Sequence, residues 1–398
     1  MPRKVIHVAL NGVTGRMGYR QHLVRSLLAI REQGGIRLED GSCLYPEPIL
    51  VGRNEERLRA IAERHGLERW TTSLDEVLAD PEVGVYFDTQ VTSAREASLL
   101  KAIEAGKHVY TEKPVAATLD GALRLARAAK AAGITHGVVH DKLFLPGVMK
   151  LQRLLGSGFL GRVLSVRLEF GYWVFEGDQV AAQRPSWNYR AADGGGIVLD
   201  MFPHWQYLLE DLFGPVSAVY ARRATHLPTR WDEAGEPYDV TADDAAYAVL
   251  EFAGGALASV NCSWAVRVNR RELLELQVDG THGSAVAGLR NCAVQHKVST
   301  PMPVWNPDLP DPLDYPAMWT DVPDNMDMGN GFKAQWELFL RAAARGRPFP
   351  WDLFAGARGV QLAELAVRSS DEGRRVEVPV PGNTVPEATV PGNTGPGA

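Results

Sequence analysis

Between Val5 and His140 the chain repeats one rhythm. Five short apolar runs, VIHVAL (5–10), PILVG (48–52), VGVYFDT (83–89), HVYTEK (108–113) and THGVVH (135–140), are separated by segments with helical spacing of their apolar residues. Met17 to Arg31 carries Leu23, Leu27 and Ile30 on one face, ERLRAIAERHG stops at Gly66, and helices are expected over 93–105 and 119–132, each closed by a glycine. Strands that alternate with helices in this order must lie parallel, because each crossover helix returns the chain to the same edge. A doubly wound parallel sheet over residues 1–140 is therefore expected, an N-terminal α/β domain of Rossmann type.

After residue 141 the rhythm breaks. RVLSVRLEFGYWVF (162–175), VSAVYARR (216–223), AAYAVLEFAGGALASVNCSWAV (245–266) and ELLELQVDGTHGSAVAG (272–288) read as strands, some joined by glycine-bearing hairpins. Helices near 146–155, 197–213, 332–345 and 352–370 accompany them. The expectation for 141–378 is a second α/β domain, built on an open and mostly antiparallel sheet. Residues 300–330 form a Pro-rich, Trp-bearing loop, either a lid or a surface excursion. VPGNT occurs twice in the last segment, and 379–398 lacks the apolar side chains to offset chain entropy, so a disordered tail is expected.

Composition excludes several functions. A net charge of -6 gives no basic footprint for nucleic acid, and no apolar run is long enough to span a bilayer. The three cysteines, Cys43, Cys262 and Cys292, are widely spaced and suggest neither a disulfide framework nor a zinc knuckle. The N-terminus leaves no room for a signal peptide before the first strand. A cytoplasmic protein with a small-molecule partner fits these features.

NGVTGRMG (11–18) follows the first strand and opens the first helix, with glycines at Gly12, Gly15 and Gly18 rather than in the usual GxGxxG spacing. Such a loop lets a pyrophosphate approach the backbone of Gly12, Val13, Thr14, Gly15, Arg16, Met17 and Gly18, where free N–H groups and the helix dipole hold it. The second strand ends in Val51-Gly52-Arg53-Asn54, without the acidic residue that binds an NAD ribose. Arg53 either meets a 2′-phosphate or is a solvated turn residue, which gives a slight lean to NADP over NAD.

DGGGIVLDMFPHW (193–205) runs three glycines into a helix. Asp200 and His204, four residues apart, share one of its faces, and Gly214-Pro215 ends it. Val198, Met201, Phe202, Trp205, Leu208, Leu209 and Leu212 make the apolar side, while Pro203 removes one backbone bond at an interior cost of about 3 kcal/mol. The glycines would let backbone pass close to a ligand. An Asp and His at this spacing could also begin a zinc site, but only His140 and Asp141 offer further ligands, and no metal is expected.

The order of GKHVYTEKP (106–114), the 119–132 helix and GGGIVLDMFPH resembles the glucose-fructose oxidoreductase, inositol dehydrogenase and MocA (Gfo/Idh/MocA) family over roughly residues 4–215. The resemblance implies an NAD(P)-dependent oxidoreductase acting on a hydroxyl of a sugar, glycoside or cyclitol. It implies Lys113, preceded by Glu112, as a catalytic cation beside the nicotinamide, and Asp200 and His204 as substrate contacts with His204 the acid/base. Imidazole suits that work because its ordinary pKa of about 6.5 lets it accept the alcohol proton at neutral pH. Thr89 and Gln90 are expected beside the cofactor; His140 and Lys142 fall where members often put substrate or ribose contacts, and Arg184 and Trp187 lie just before the glycines, each of the four either meeting the substrate or serving structural packing. The resemblance further implies a homodimer or homotetramer.

Two departures stand out. The glycine loop is shifted, and FDTQVTSAR (87–95) puts Gln90 and Arg95 where members commonly carry Thr-Pro and then His. The loop alone also looks like that of dihydrodipicolinate reductases, which are much shorter. Within the family one alternative is a redox-neutral glycoside hydrolase that oxidises, eliminates and reduces again on bound NAD. Another is a nucleotide sensor, against which Lys113 and His204 argue.

Overall fold

The first strand, β1 (Arg3–Asn11), is the hub of a parallel sheet in the computed structural model, which describes residues 2–267, 270–300, 308, 314, 316–326 and 329–380. On one side β1 pairs in parallel with β2 (Cys43–Val51), and beyond that lies β3 (Trp70–Thr71). On the other side come β4 (Val83–Asp88), β5 (His108–Thr111) and β6 (His136–Val138), all parallel. The order 3-2-1-4-5-6 reverses at β1, so a crevice opens above the carboxyl ends of β1 and β4, where ligands of open α/β sheets bind. A two-residue strand, Ile36–Arg37, adds an antiparallel edge to β2.

Helices cover both faces. α1 (Gly18–Leu28, continuing as Ala29–Glu32) and α2 (Glu55–His65) share one apolar cluster, and α3 (Thr92–Glu104) and α4 (Leu119–Ala131) share the other. α1 is wound wide over its first eleven residues, with Ser26 Oγ donating to Gln21 O five residues back at 2.7 Å. Apolar spacing over 17–31 does not foretell that winding.

Among the described residues the second sheet has nine strands: β7 (Val163–Phe170), β8 (Val216–Ala224), β9 (Ala245–Phe252), β10 (Leu257–Ser263), β11 (Leu274–Gly280), β12 (Gly283–Gly288), β13 (Cys292–His296), β14 (Thr320–Asp321) and β15 (Val376–Glu377). They lie in the order 14-13-12-11-7-10-9-8-15, antiparallel except for the parallel pair β7 and β10. One face packs on α5 (Pro146–Gly156) and α6 (Ile197–Phe213); Tyr220, Tyr247, Val249 and Leu257 are exposed. α6 has the bounds that the glycines and Gly214-Pro215 imply, and it runs through Pro203 without a break. Residues 301–307, 309–313, 315 and 327–328 of the 300–330 loop, and the tail from 381, lie outside the described residues.

The chain then returns to the first sheet. α7 (Gly331–Ala343) places Trp336, Phe339 and Leu340 in the core on the α1 side. α8 (Leu353–Glu372) spans two cores: Leu353, Phe354, Ala357 and Val360 join the α4 side of the first sheet, and Leu362, Ala363 and Ala366 join the second sheet. The two sheets are thus tied by one helix, and the cleft between them is framed by the loops after β1, β4, β5 and β6 and by the first turns of α6.

Candidate active site

The glycine loop is shaped by close packing at the end of β1. Gly12 has φ +85°, and a Cβ there would lie 2.9 Å from the Thr89 carbonyl carbon and oxygen; one at Gly18 would lie 2.7 Å from Gly12 O. Only hydrogen fits at these two positions, so the turn hugs the Thr89 backbone and carries α1 up against it. Gly15 is looser, with a Cβ 3.3 Å from Gly12 O. Arg16 is exposed, and α1 has neither an acidic residue in its first turn nor a side-chain cap. Such a helix end is receptive to an anion.

Asp88 and Arg95, both buried, stitch the neighbouring loops together. Asp88 Oδ1 accepts from Arg95 Nε (3.2 Å) and Gln90 N (3.0 Å), and Arg95 donates to the carbonyls of Gln90 and Pro114. Arg95 therefore holds the 88–90 turn beside Lys113-Pro114, a role the sequence did not reveal. The Gln90 side-chain carbonyl is engaged by Ser98 Oγ at 2.9 Å. Beside the 52–54 turn, Thr14 and Tyr19 line a shallow cleft of about 230 Å³ with Arg57, Ala60, Ile61 and Arg64. Arg53 is exposed at its edge of β2, and Asn54 spends its side chain capping α2.

Lys113 leaves β5 and reaches α6. Its Nζ donates to Asp200 Oδ1 at 2.6 Å and to Asp200 O at 2.9 Å. The other oxygen, Asp200 Oδ2, accepts from Arg184 Nη1, and that guanidinium lies over the Trp264 ring at 4.5 Å. Burial works to raise the Asp200 carboxyl, but Arg184 and Lys113 outweigh it and hold it well below the usual carboxylate range. Asp200 is a charged clamp between two cations.

One turn on, His204 is buried. Its Nδ1 lies 2.8 Å from Tyr207 Oη, and Tyr207 Oη donates to Asp141 Oδ1 at 3.2 Å while accepting from Lys142 N at 3.2 Å. Burial, and then the charges of Lys113, Lys142 and Arg184, push the His204 imidazole well below its ordinary value, so it is neutral at pH 7. The same burial drives Tyr207 well above the ordinary phenol value. His140 stacks on Tyr207 with ring centroids 4.0 Å apart, and burial takes its imidazole down to about 3. Lys142 Nζ pairs with Asp141 Oδ2 at 2.6 Å.

Behind Lys113 runs a second buried chain. Trp336 Nε1 of α7 donates to His22 Nδ1 (3.0 Å), His22 Nε2 lies 2.8 Å from Glu112 Oε1, and Glu112 Oε2 accepts from Lys113 N (3.1 Å). Burial tends to raise Glu112, but the His22 contact and the charges of Lys113 and Arg95 keep it below its ordinary value.

The structure thus brings Glu112, Lys113, His140, Lys142, Arg184, Asp200 and His204 into one connected cluster. Trp187 stands apart, 48% exposed on the turn Ser186–Tyr189. Two of the three glycines, Gly195 and Gly196, have a local cause in the packing around them. A Cβ at Gly195 would lie 2.4 Å from Asn188 O, and Gly196, at φ +126°, brings Asp243 to the start of α6, where Asp243 Oδ2 accepts from Val198 N at 2.9 Å. Sequence reading missed His22, Asp141 as a partner of the histidine, and Tyr207; only Tyr207 left a signal, the i,i+3 spacing from His204.

A dinucleotide crevice beside a lysine, a clamped carboxylate and a neutral buried imidazole defines an NAD(P)-dependent oxidoreductase acting on a CH–OH group. The comparisons agree: residues 7–140 match the model of an oxidoreductase family with an NAD-binding Rossmann fold, and 148–286 match the GFO/IDH/MocA C-terminal domain. The chain belongs to the Gfo/Idh/MocA family. A D-xylose dehydrogenase of Paenarthrobacter nicotinovorans is 58% identical over 94% of this chain and 98% of its own. A levoglucosan dehydrogenase of Pseudarthrobacter phenanthrenivorans is 27% identical over 61% of this chain and 66% of its own. A levoglucosan dehydrogenase solved with NADH and L-sorbose has the same fold, with TM-score 0.78 at 22% identity over 95% of this chain and 100% of its own.

Proposed function

We propose that the chain is an aldose dehydrogenase whose substrate is D-xylose or a closely related aldopentose. The observation that carries this reading is the 58% identity, end to end, with a D-xylose dehydrogenase. The clustered residues take the roles that alcohol oxidation requires.

Lys113 has three N–H groups, of which two point at Asp200, and the third is available to the reacting hydroxyl. His204 accepts the hydroxyl proton as the C–H bond breaks and the carbonyl forms. A bound oxidised nicotinamide supplies the hydride acceptor. Asp200 anchors Lys113 and Arg184 and accepts from a neighbouring sugar hydroxyl, while His140 and Lys142 complete the substrate side and Trp187 stands outside it. Gly12 to Gly18, with Thr89, Gln90 and Glu112, form the cofactor side, where the side-chain-free turn and the uncapped helix end fit a pyrophosphate. NADP is the preferred cofactor in this reading: the 52–54 turn has no acid, Arg53 on that turn is exposed, and Arg57 and Arg64 line the cleft beside Thr14.

Incubation of the purified protein with D-xylose and each oxidised cofactor, followed by absorbance of the reduced form, is the test. One reduced cofactor should form per sugar consumed, faster with NADP. Turnover of a glycoside without net cofactor reduction would replace this reading with the redox-neutral hydrolase. Failure to oxidise any aldopentose would remove the substrate assignment.

We further propose a homodimer or homotetramer paired through the exposed sheet face that carries Tyr220, Tyr247, Val249 and Leu257. Sedimentation at a monomer mass would overturn this. Three free cysteines, two of them buried, suit a reducing cytoplasm, which we take as its compartment. No helix among the described residues is long and apolar enough to cross a membrane.

A further inference from the structure

We propose that Tyr207 and Asp141 are positioning residues that fix which nitrogen of His204 carries the proton, leaving Nε2 bare to act as the base. The inference rests on the reading of His204 as base and concerns what makes it one.

The hydrogen bonds around Tyr207 Oη close in only one way. The Lys142 backbone N–H can only donate, and it points at Oη from 3.2 Å. The Asp141 carboxylate can only accept while ionised, and its Oδ1 lies 3.2 Å away on another side. The phenol hydrogen therefore goes to Asp141. The remaining neighbour, His204 Nδ1 at 2.8 Å, must then bring its own hydrogen to Oη. If Nδ1 were the acceptor instead, Tyr207 would turn its hydrogen to the imidazole, and a buried carboxylate oxygen would face a phenol oxygen with no hydrogen between them.

The hydroxyl thus stands between histidine and aspartate, since the direct Nδ1 to Asp141 Oδ1 distance of 3.9 Å is too long for a hydrogen bond. The arrangement supplies the orienting carboxylate of a nucleophile-base-acid triad, with one hydroxyl inserted. His140, stacked on the phenol ring, holds it flat against the site. Tyr207 stays protonated because burial and then the Asp141 charge raise its pKa well above the ordinary value, so the relay has its hydrogen throughout the working range.

When Nε2 takes the alcohol proton, the positive ring still has an acceptor at Nδ1 and a negative charge beyond it. The groups facing the imidazole are Lys113 from the β5 loop, His140, Asp141 and Lys142 after β6, Arg184 before α6, and Asp200 on α6 itself. Asp141 and Asp200 are the two anions among them, and Asp141 is the one connected through Tyr207.

Tyr207→Phe and Asp141→Asn test the relay, each assayed as kcat, KM and pH–rate profile with D-xylose and NADP. Each should lower kcat by roughly 10-fold to 100-fold, with KM and cofactor affinity within about twofold of wild type. The acid limb of the profile should move to lower pH, because the imidazolium has lost its acceptor or its counter-charge; a purely structural role would not move it. Nitrogen-15 NMR of histidine in the unaltered protein gives a readout independent of any variant: Nδ1 should carry hydrogen and Nε2 none. The reverse tautomer overturns the proposal. So do wild-type kcat and acid limb in both variants while His204→Ala is inactive, an outcome that leaves His204 as base. Wild-type turnover in His204→Ala overturns the base itself, and the relay with it.

Discussion

Asp200→Asn keeps the shape of the clamp and removes its charge, which makes it the most direct probe of the site. In the wild type the carboxylate faces Lys113 Nζ at 2.6 Å and the Arg184 guanidinium, with side-chain exposures of 24%, 16% and 22%. Each cation at about 4 Å between charge centres contributes roughly 4 kcal/mol of gross attraction at an effective dielectric of about 20. Most of that is cancelled by desolvation, and removing one member of a buried pair costs about 3–5 kcal/mol. Partial exposure places this clamp at the low end, near ~3 kcal/mol.

Lys113 keeps its bond to the Asp200 carbonyl in the variant, so the ammonium stays near the site but is no longer aimed. If the clamp acts in the transition state, kcat/KM should fall by roughly 100-fold, the equivalent of that ~3 kcal/mol. There is a second signature. Loss of an anion leaves His204 facing an excess of Lys113, Lys142 and Arg184, which already depress its pKa. Its acid limb should therefore move to still lower pH. Steady-state rates from pH 5 to 8, with cofactor affinity measured separately by fluorescence, report both effects. A variant within threefold of wild-type kcat/KM, with an unmoved acid limb, would refute the claim that this carboxylate aims Lys113.

Gly12→Ala should destabilise the fold as well as weaken cofactor binding, since its Cβ meets backbone at 2.9 Å in a left-handed conformation, whereas Gly15→Ala should stay folded; calorimetry and thermal melts on both variants separate the two. Arg53→Ala and Arg57→Ala should each raise the Kd for NADP by 5-fold to 20-fold (about 1–2 kcal/mol) and leave NAD nearly unchanged, as titration of each cofactor will show. The buried His140, held neutral with a pKa of about 3, should make stability fall as pH drops from its unfolded value of about 6.5 toward 3, by up to ~1.4 kcal/mol per pH unit. Denaturant titrations should show a shallower slope in His140→Gln; an equal slope would assign the acid sensitivity elsewhere.

Local chemistry made much of this legible. The bounds of α6 and the parallel order of the first sheet follow from glycine stops and apolar period, whereas the meeting of Lys113 and Asp200 is implied by the family resemblance and the place of Arg184 against Asp200 is not foreseen. What could not be read depends on distance along the chain. His22 looks like one more polar residue on a helix until Trp336, 314 positions away, is brought to its ring. Arg95 reads as a helix surface residue, yet Asp88 and Pro114 draw it into the interior. The triple glycine invited a ligand because sequence alone cannot show that Asn188 and Asp243 crowd that backbone.

The place of α7 and α8 bears on how the chain is made. Synthesis delivers β1 to β6 first, but the aromatic plug of Trp336 and Phe339 and the α8 residues that cover the opposite face are translated nearly two hundred residues later. Until they emerge from the ribosome, Phe87 lacks the Trp336 ring that lies 4.9 Å from it and Tyr110 lacks the Phe339 ring stacked 4.5 Å away. The dinucleotide half is thus the first to be written and among the last to be sealed. A nascent chain stalled before residue 331 would hold its first sheet under α1 to α4 but without the α7 and α8 side chains that complete both apolar clusters.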